Sequence, residues 1–352
     1  MRPCPYIKLI ALVIVLLSSC TGHEGRNLGD DPAIPRFLQV DGLPGGGWEI
    51  VSISPFNGTK DTLVIDEPLD NIIVMSTSHI GFLDALGELD VVSGVSGKDY
   101  VYDSTHEYAE VGYDAAPDYE KIVSLNPDLL LTYTVSGMKS SFIERLEQLG
   151  IKVFIVNEHL EDHPLARASY IRLFGALTGT MEKADSILED VSSAYDSLAA
   201  KVKESGAPAK RVLLNIPYND QWFIPPKDSY LWALFQDAGG EILGAEEGRT
   251  ASSTISVEKA YSLSKEADSW MNVGWCQDKR QLLGCNPIFS EMVRNVDGEV
   301  WNDNKRLNPR GGNDFWESGV VRPDRILRDL VKILHPEIIP ETDTLFYYRP
   351  IR

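Results

Sequence analysis

Histidine and cysteine are scarce in this chain, at six and four of 352 residues. No compact His/Asp/Glu cluster with metal-ligand spacing is present, which argues against a directly held ion such as zinc or manganese. Basic residues are also few, 33 against 52 acidic, for a formal charge of −19. That balance disfavours nucleic acid and anionic membrane surfaces as partners. The glycine-rich run Pro44-Gly45-Gly46-Gly47 has no Lys-Ser/Thr sequel and opens no helix, so it reads as a hairpin loop and not a phosphate cradle. No nucleophile–base pairing or acid pair at useful spacing is found, which argues against an enzyme. The apolar run at residues 9–17 is too short for a comfortable membrane span.

That run follows Arg2 and Lys8 and closes on Leu17-Ser18-Ser19-Cys20, the layout of a secretion signal. It resembles a bacterial lipoprotein signal, in which Cys20 becomes the acylated first residue of the mature chain. An ordinary cleaved signal with Cys20 incidental is the other reading. Residues 1–19 are then signal and 20–36 a tether. The protein is expected to be exported and lipid-anchored, facing the periplasm or the cell surface, and to touch the membrane through the lipid only. The remaining material, roughly 330 residues, is enough for two lobes with separate cores. Cys4 lies in the signal and Cys20 at the anchor, which leaves Cys276 and Cys285. An oxidising compartment lets them pair, and a small loop disulfide suits two thiols without nearby His or acidic partners better than a metal site does.

Residues 181–205 organise everything else. Ala184, Leu188, Val191, Tyr195, Leu198 and Val202 recur at steps of three and four, predicting one long amphipathic helix. Thr180 can cap its start, Gly206 can take the left-handed position at its end, and Pro208 prevents continuation. On each side of this strut, short β-rich runs alternate with helical patterns. Upstream they are residues 71–76, 91–95, 127–132 and 153–156, and downstream 211–216 and 267–273. Such alternation predicts an α/β fold of two Rossmann-like lobes joined by a single helix. The lobes are placed at residues 67–163 and 207–352, with a helical segment at 164–206 between them. Residues 37–66 form a small N-terminal β extension, with strands near Trp48 to Ile53 and Thr62 to Ile65 around an Asn57-Gly58 turn.

Residues 72–96 (IIVMSTSHIGFLDALGELDVVSGVS), 119–131 (YEKIVSLNPDLLL) and Ser256-Val257-Glu258-Lys259 resemble a known pattern. It is that of the periplasmic binding proteins that serve ABC importers for ferric siderophores, haem and cobalamin. The resemblance covers almost all of the chain after residue 70. It implies the class III architecture, in which a rigid helix joins the lobes and opening is a modest hinge. It also implies that Glu120 and Glu258, one per lobe, meet arginines of the importer's membrane subunits. Between Phe154 and Leu177, Asn157-Glu158 and residues 163–171 (HPLARASYI), and later 311–317 and 322–327, are similar to a Bacteroidetes-type branch of these proteins. In that segment Glu158 and Arg167 can simply pair to pin a loop.

The ligand is expected between the lobes, where loops leave the C-terminal ends of strands. Candidates from the first lobe are Thr77, Ser78 and His79, then Tyr100 and Tyr102, then Tyr133. Those from the second are Trp222, Trp275, Arg310 and Trp316, while Trp232 and Trp270 read as core. Aromatic walls suit a large flat or catechol-bearing ligand, and arginine an anionic one. His79 suits either ligation of a haem iron or corrinoid cobalt, or hydrogen bonding at a helix start, and His106 is a weaker candidate. No resident cofactor is called for. The expected activity is capture of a metal chelate by a monomer, with a ferric siderophore ahead of cobalamin or haem, and delivery to an ABC importer. The alternatives are a surface capture lipoprotein feeding an outer-membrane transporter, and a chelatase-like enzyme of related form.

Overall fold

A strand buried on both faces sends successive side chains to opposite sides, and the first-lobe strands do so. In the computed structural model, which describes residues 31–103, 105–136, 140–248 and 252–352, Ile72, Val74, Leu129 and Leu131 enter one apolar cluster with Phe82, Leu83, Phe154 and Phe174. Ile73, Met75 and Leu130 enter another, with Ile122, Phe142 and Leu146. The strands lie in the order Val153–Ile155, Leu129–Thr132, Ile72–Val74, Val92–Val95 and Ala109–Glu110, all parallel. Helices Thr77–Leu86, Tyr119–Leu125 and Ser141–Gln148 lie between successive strands in the chain. Side chains of Ser76, Asp118 and Ser140 cap their starts, satisfying backbone N–H groups that have no partner within the helix.

The second lobe repeats the plan. Gly240–Ile242, Lys210–Leu214, Ser269–Met271 and Val300–Asn302 are parallel, and Arg349–Pro350 closes one edge antiparallel. One cluster joins Val212, Leu213, Leu214, Trp270 and Met271 to Phe235, Phe289, Leu327 and Leu330. Two α/β lobes with parallel sheets are therefore present, as the alternation of runs predicts.

The strut is a helix at Met181–Ser205. Ala184, Val191, Tyr195, Leu198 and Val202 are buried as their spacing predicts, while Leu188 is only partly buried. It packs on Ile171–Thr178 of the first lobe and on Pro323–Leu334 of the second. Gly206 takes the left-handed conformation at its end, with φ of 63°. Thr180 occupies the N-cap position without capping through its side chain, because its hydroxyl pairs with that of Thr178 at 2.8 Å.

The chain also crosses between the lobes a second time, which the placement of residues 207–352 in one lobe does not foresee. The short helix Ser318–Val321 leaves the second lobe and packs on Thr77–Leu86, with Val320 and Val321 in the first-lobe core. The approach is close enough that a Cβ at Gly81 would stand 2.1 Å from the carbonyl oxygen of Glu317. Only hydrogen fits there.

Ahead of the first lobe lies an antiparallel sheet of Leu38–Gly42, Trp48–Ile53 and Lys60–Ile65. Its first strand is not evident in the sequence pattern. It is pinned to the first lobe by Glu161, whose carboxylate accepts from the backbone N–H groups of Arg36 and Phe37 at 2.9 and 3.0 Å. At the other end, Ser52 Oγ donates to the Ile155 carbonyl at 2.7 Å, and Asn157 Nδ2 donates to the Ile53 carbonyl at 3.2 Å.

Gly81→Ala is expected to reduce stability by roughly 1–3 kcal/mol, because the added methyl must force two backbones apart. Urea denaturation checks this beside Gly284→Ala, where the new methyl meets nothing and a helical alanine is neutral or favourable. Equal effects of the two substitutions would contradict the close seam.

Candidate functional site

In open α/β sheets the crevice for a ligand lies beyond the C-terminal strand ends where the strand order reverses. In the first lobe this is beside Ile72–Val74 and Leu129–Thr132, and in the second beside Lys210–Leu214 and Ser269–Met271. The chain turns sharply at both second-lobe strand ends. Asn215 and Asn272 take left-handed conformations with φ of 70° and 57°, a geometry asparagine tolerates better than most residues. Asn215 then donates to the Phe223 carbonyl, and Asn272 accepts from the Tyr348 hydroxyl.

Loops from the two lobes meet at a seam. Glu317 accepts from the backbone N–H groups of Tyr102 at 2.7 Å and Asp103 at 3.1 Å. Asn308 donates to the Val101 and Tyr102 carbonyls at 2.8 and 3.2 Å. Arg306 stacks over the Tyr102 ring and pairs with Asp314. Burial first, then the carboxylates of Asp314 and Asp103, push the Glu317 carboxyl up to about 7, against the two backbone hydrogen bonds that favour its ionised form.

Several expected ligand residues do face solvent. Tyr100, Tyr133, Trp275 and Trp316 are 59, 38, 65 and 40% exposed, Arg310 is exposed, and Tyr102 is partly buried at the seam. Tyr133 meets the His159 ring edge-on at 5.8 Å. Trp316 packs edge-on against Phe315 at 4.8 Å.

Three candidates are misplaced by the sequence reading. Trp222 is fully buried, stacked on Trp270, and its indole N–H donates to the Leu214 carbonyl at 2.7 Å. It opens a strand, Trp222–Ile224, that pairs antiparallel with Ser253–Ile255 and returns the ring to the core instead of leaving it in a loop. Ser78 is buried, donating to Glu158 at 2.6 Å. His79 is wholly buried against Phe174, and burial lowers its pKa to about 4, so the ring is neutral and sealed from a cleft ligand. His106 bonds Asp103 at 2.8 Å and stacks on Tyr108. Cys276 and Cys285, the expected disulfide pair, lie side by side as thiols with their sulfurs 3.7 Å apart. Cys20 lies outside the described residues.

Glu158 belongs to a buried polar knot at the lobe junction. Burial raises its pKa, but the His159 ring 3.7 Å away and the Arg167 charge prevail and hold the carboxyl well below the usual range. Arg167 reaches within 3.7 Å of Glu158 and lies 4.5 Å from the Tyr230 ring centre of the second lobe. The pair therefore does more than pin a loop, since it ties both lobes to the connecting segment.

Next to this knot is an interlobe cavity of about 340 Å³. Val135, His159 and Leu160 line it from the first lobe, Pro225, Pro226, Tyr230 and Leu231 from the second, and Phe56 from the N-terminal sheet. None of Tyr100, Tyr102, Trp275, Arg310 or Trp316 lines it. Phe56 and His159 carried no signal in the sequence, because their place depends on how three separate elements converge.

Glu120 and Glu258 are both exposed and both lie in the first turn of a helix, capped by Asp118 and Ser256 respectively. Beside Glu120 a groove of about 910 Å³ runs past Tyr119, Val123, Arg145 and Leu149. Among the described residues no group of three or more His, Cys, Asp or Glu could hold a metal ion, and no helix is long and apolar enough to cross a membrane.

Two α/β lobes, a joining helix and a crevice between strand ends define a two-lobed solute-binding protein. A family profile described as periplasmic binding protein matches residues 72–292, more than half of the chain, and the chain belongs to that family. An uncharacterized lipoprotein of Methanocaldococcus jannaschii is 26% identical over 81% of this chain and 70% of its own length. The iron(3+)-hydroxamate-binding protein of Bacillus subtilis is 26% identical over 54% of this chain and 55% of its own. Among solved structures, a periplasmic haem-binding protein from Pseudomonas aeruginosa superposes with a TM-score of 0.61 at 19% identity, covering 79% of this chain and 96% of that one. The vitamin B12-binding protein of Vibrio cholerae gives 0.57 at 14%, covering 76 and 96%. At these identities the structures establish the class III fold.

Asp303, at the mouth of the second-lobe sheet, is buried, and burial pushes its carboxyl from 3.8 up to about 7. The raised value means that the neutral form stabilises the fold fully below about pH 4, and that this contribution is lost as pH rises through 7. Asp303→Asn is therefore expected to match the native protein at pH 4 and to exceed it at pH 8, by on the order of 1 kcal/mol or more. Thermal unfolding across that range measures the difference, and a pH-independent difference would contradict the burial of an ionising group.

Proposed function

We propose that this protein is a lipid-anchored substrate-binding protein that captures a metal chelate between its lobes and delivers it to an ABC importer. The observation that carries the reading is the family match, which runs through the first lobe, the strut and into the second lobe. A ferric siderophore is the favoured ligand, ahead of cobalamin or haem. The Bacillus subtilis relative named for iron(3+)-hydroxamate binding supports that order, as does exposed Arg310, whose guanidinium suits anionic oxygen donors. Anchoring through Cys20 is supported by the signal-like start and by the lipoprotein relatives. The segments at 157–158, 163–171, 311–317 and 322–327 support membership of the Bacteroidetes-type branch.

Delivery requires a face that the importer recognises. Glu120 and Glu258 occupy matching helix starts on the two lobes, where paired carboxylates can engage cationic residues and report lobe spacing. Beside Glu120, the groove with Val123 and Leu149 offers apolar contact next to the charge. In this reading the protein performs no chemistry on its ligand.

Tryptophan fluorescence of the delipidated domain, titrated with cyanocobalamin, haemin and a panel of ferric siderophores, is expected to show saturable, submicromolar quenching by one class. Trp316→Ala is expected to weaken that binding about tenfold or more, as loss of a cleft aromatic commonly does. Glu120→Ala combined with Glu258→Ala is expected to leave binding intact and reduce uptake in cells. Normal uptake by the double variant would remove the docking assignment.

A further inference from the structure

The N-terminal sheet lies wholly before residue 72, where the family match begins, and the chelate-capture reading assigns it no part. Its position suggests one. The Trp48–Ile53 and Lys60–Ile65 strands run beside the first-lobe edge strand Val153–Ile155 and are bonded to its C-terminal end through Ser52, Ile53 and Asn157. The turn joining them is thereby carried to the crevice, and Phe56, 40% exposed, reaches the interlobe cavity from it.

The turn is held in shape. Ser54 N–H donates to the Thr59 carbonyl at 2.8 Å, Gly58 N–H to the Ser54 carbonyl at 2.9 Å, and Thr59 N–H to Asn57 Oδ1 at 3.0 Å. Gly58 has φ of 70°, which suits a residue without a side chain. A rigid turn presents an aromatic ring at low entropic cost on binding.

The cavity's chemistry is selective. Phe56, Val135, Pro225, Pro226 and Leu231 make it largely apolar, with the Tyr230 and His159 rings completing the wall. Among the described residues no lysine or arginine lines it, and its charged members, Glu161 and Asp228, are both acidic. Glu161 is committed to Arg36, Phe37 and Tyr170, and Asp228 accepts from Gly248 N–H. The described lining offers an anionic metal centre two carboxylates and apolar carbon. It suits an uncharged apolar or aromatic group, and about 340 Å³ falls within the ordinary range of ligand pockets, roughly 300–1,000 Å³.

We infer that the N-terminal sheet is part of the binding site: Phe56 closes a subsite that takes an uncharged apolar or aromatic arm of the chelate, leaving the metal-bearing portion elsewhere in the crevice. This rests on the chelate-capture reading and adds a determinant of which chelates are accepted.

The test uses the delipidated full domain, with haemin, cyanocobalamin and ferric siderophores as probes. Phe56→Ala is expected to weaken the bound chelate about tenfold while leaving the urea midpoint unchanged, and Phe56→Trp to restore affinity. Fluorine NMR of 4-fluorophenylalanine placed at position 56 provides a local readout. Its signal is expected to shift with a diamagnetic gallium analogue of the bound siderophore and to broaden with the paramagnetic ferric form. Undiminished binding by Phe56→Ala with a silent fluorine signal would overturn the inference and leave the capture reading standing. Failure of every probe to quench the native protein would overturn both.

Discussion

The seam at Gly81 and Glu317 is the constraint on which the rest depends. One backbone passes so close to another that no side chain fits between them, and the residue that makes the approach also clamps the opposite lobe through two backbone N–H groups. A helix alone would join the lobes as a strut with freedom to bend at its ends. The second crossing at Ser318–Val321, with two valines in the other lobe's core, removes much of that freedom. The crevice is consequently a shape largely set before a ligand arrives, which lowers the ordering cost of binding.

Charge at this seam works against its own tightness. Glu317, Asp314 and Asp103 lie near one another, with Arg306 paired to Asp314 and His106 to Asp103. Burial raises Glu317 toward neutral pH, so the clasp is strained most when every carboxylate is ionised. The Glu158–Arg167 contact at the far side of the junction is the reverse case, because a buried anion there is held ionised by a cation that also stacks on Tyr230. Breaking either partner would leave a buried charge uncompensated, which is costly.

Periodicity carried most of the fold. The strut was legible because Ala184, Val191, Tyr195, Leu198 and Val202 repeat at helical spacing, and the strands because Ile72 to Val74 and Leu129 to Leu131 are apolar on both faces. The site was less legible. Ser78 and His79 follow a strand end as cleft residues would, yet the first turn of their helix faces inward, toward Glu158 and Phe174. Trp222 looked like a loop residue because a three-residue strand leaves little pattern, and the hydrogen bond of its indole to Leu214 is a tertiary fact. Phe56 and Tyr230 are unremarkable in sequence and become neighbours only when the N-terminal sheet, the first lobe and the second lobe are assembled.

The central claim is that the space between the lobes holds a metal chelate, and locating the metal tests it most directly. Crystals grown with the chelate that binds in solution, measured at the iron or cobalt absorption edge, give the metal's position independently of any fitted ligand. The account predicts one anomalous peak in the crevice between the strand ends of the two lobes, flanked by Tyr133 on one side and the Trp275 and Trp316 loops on the other. A peak on an outer face, or none in crystals of a saturated complex, would contradict it.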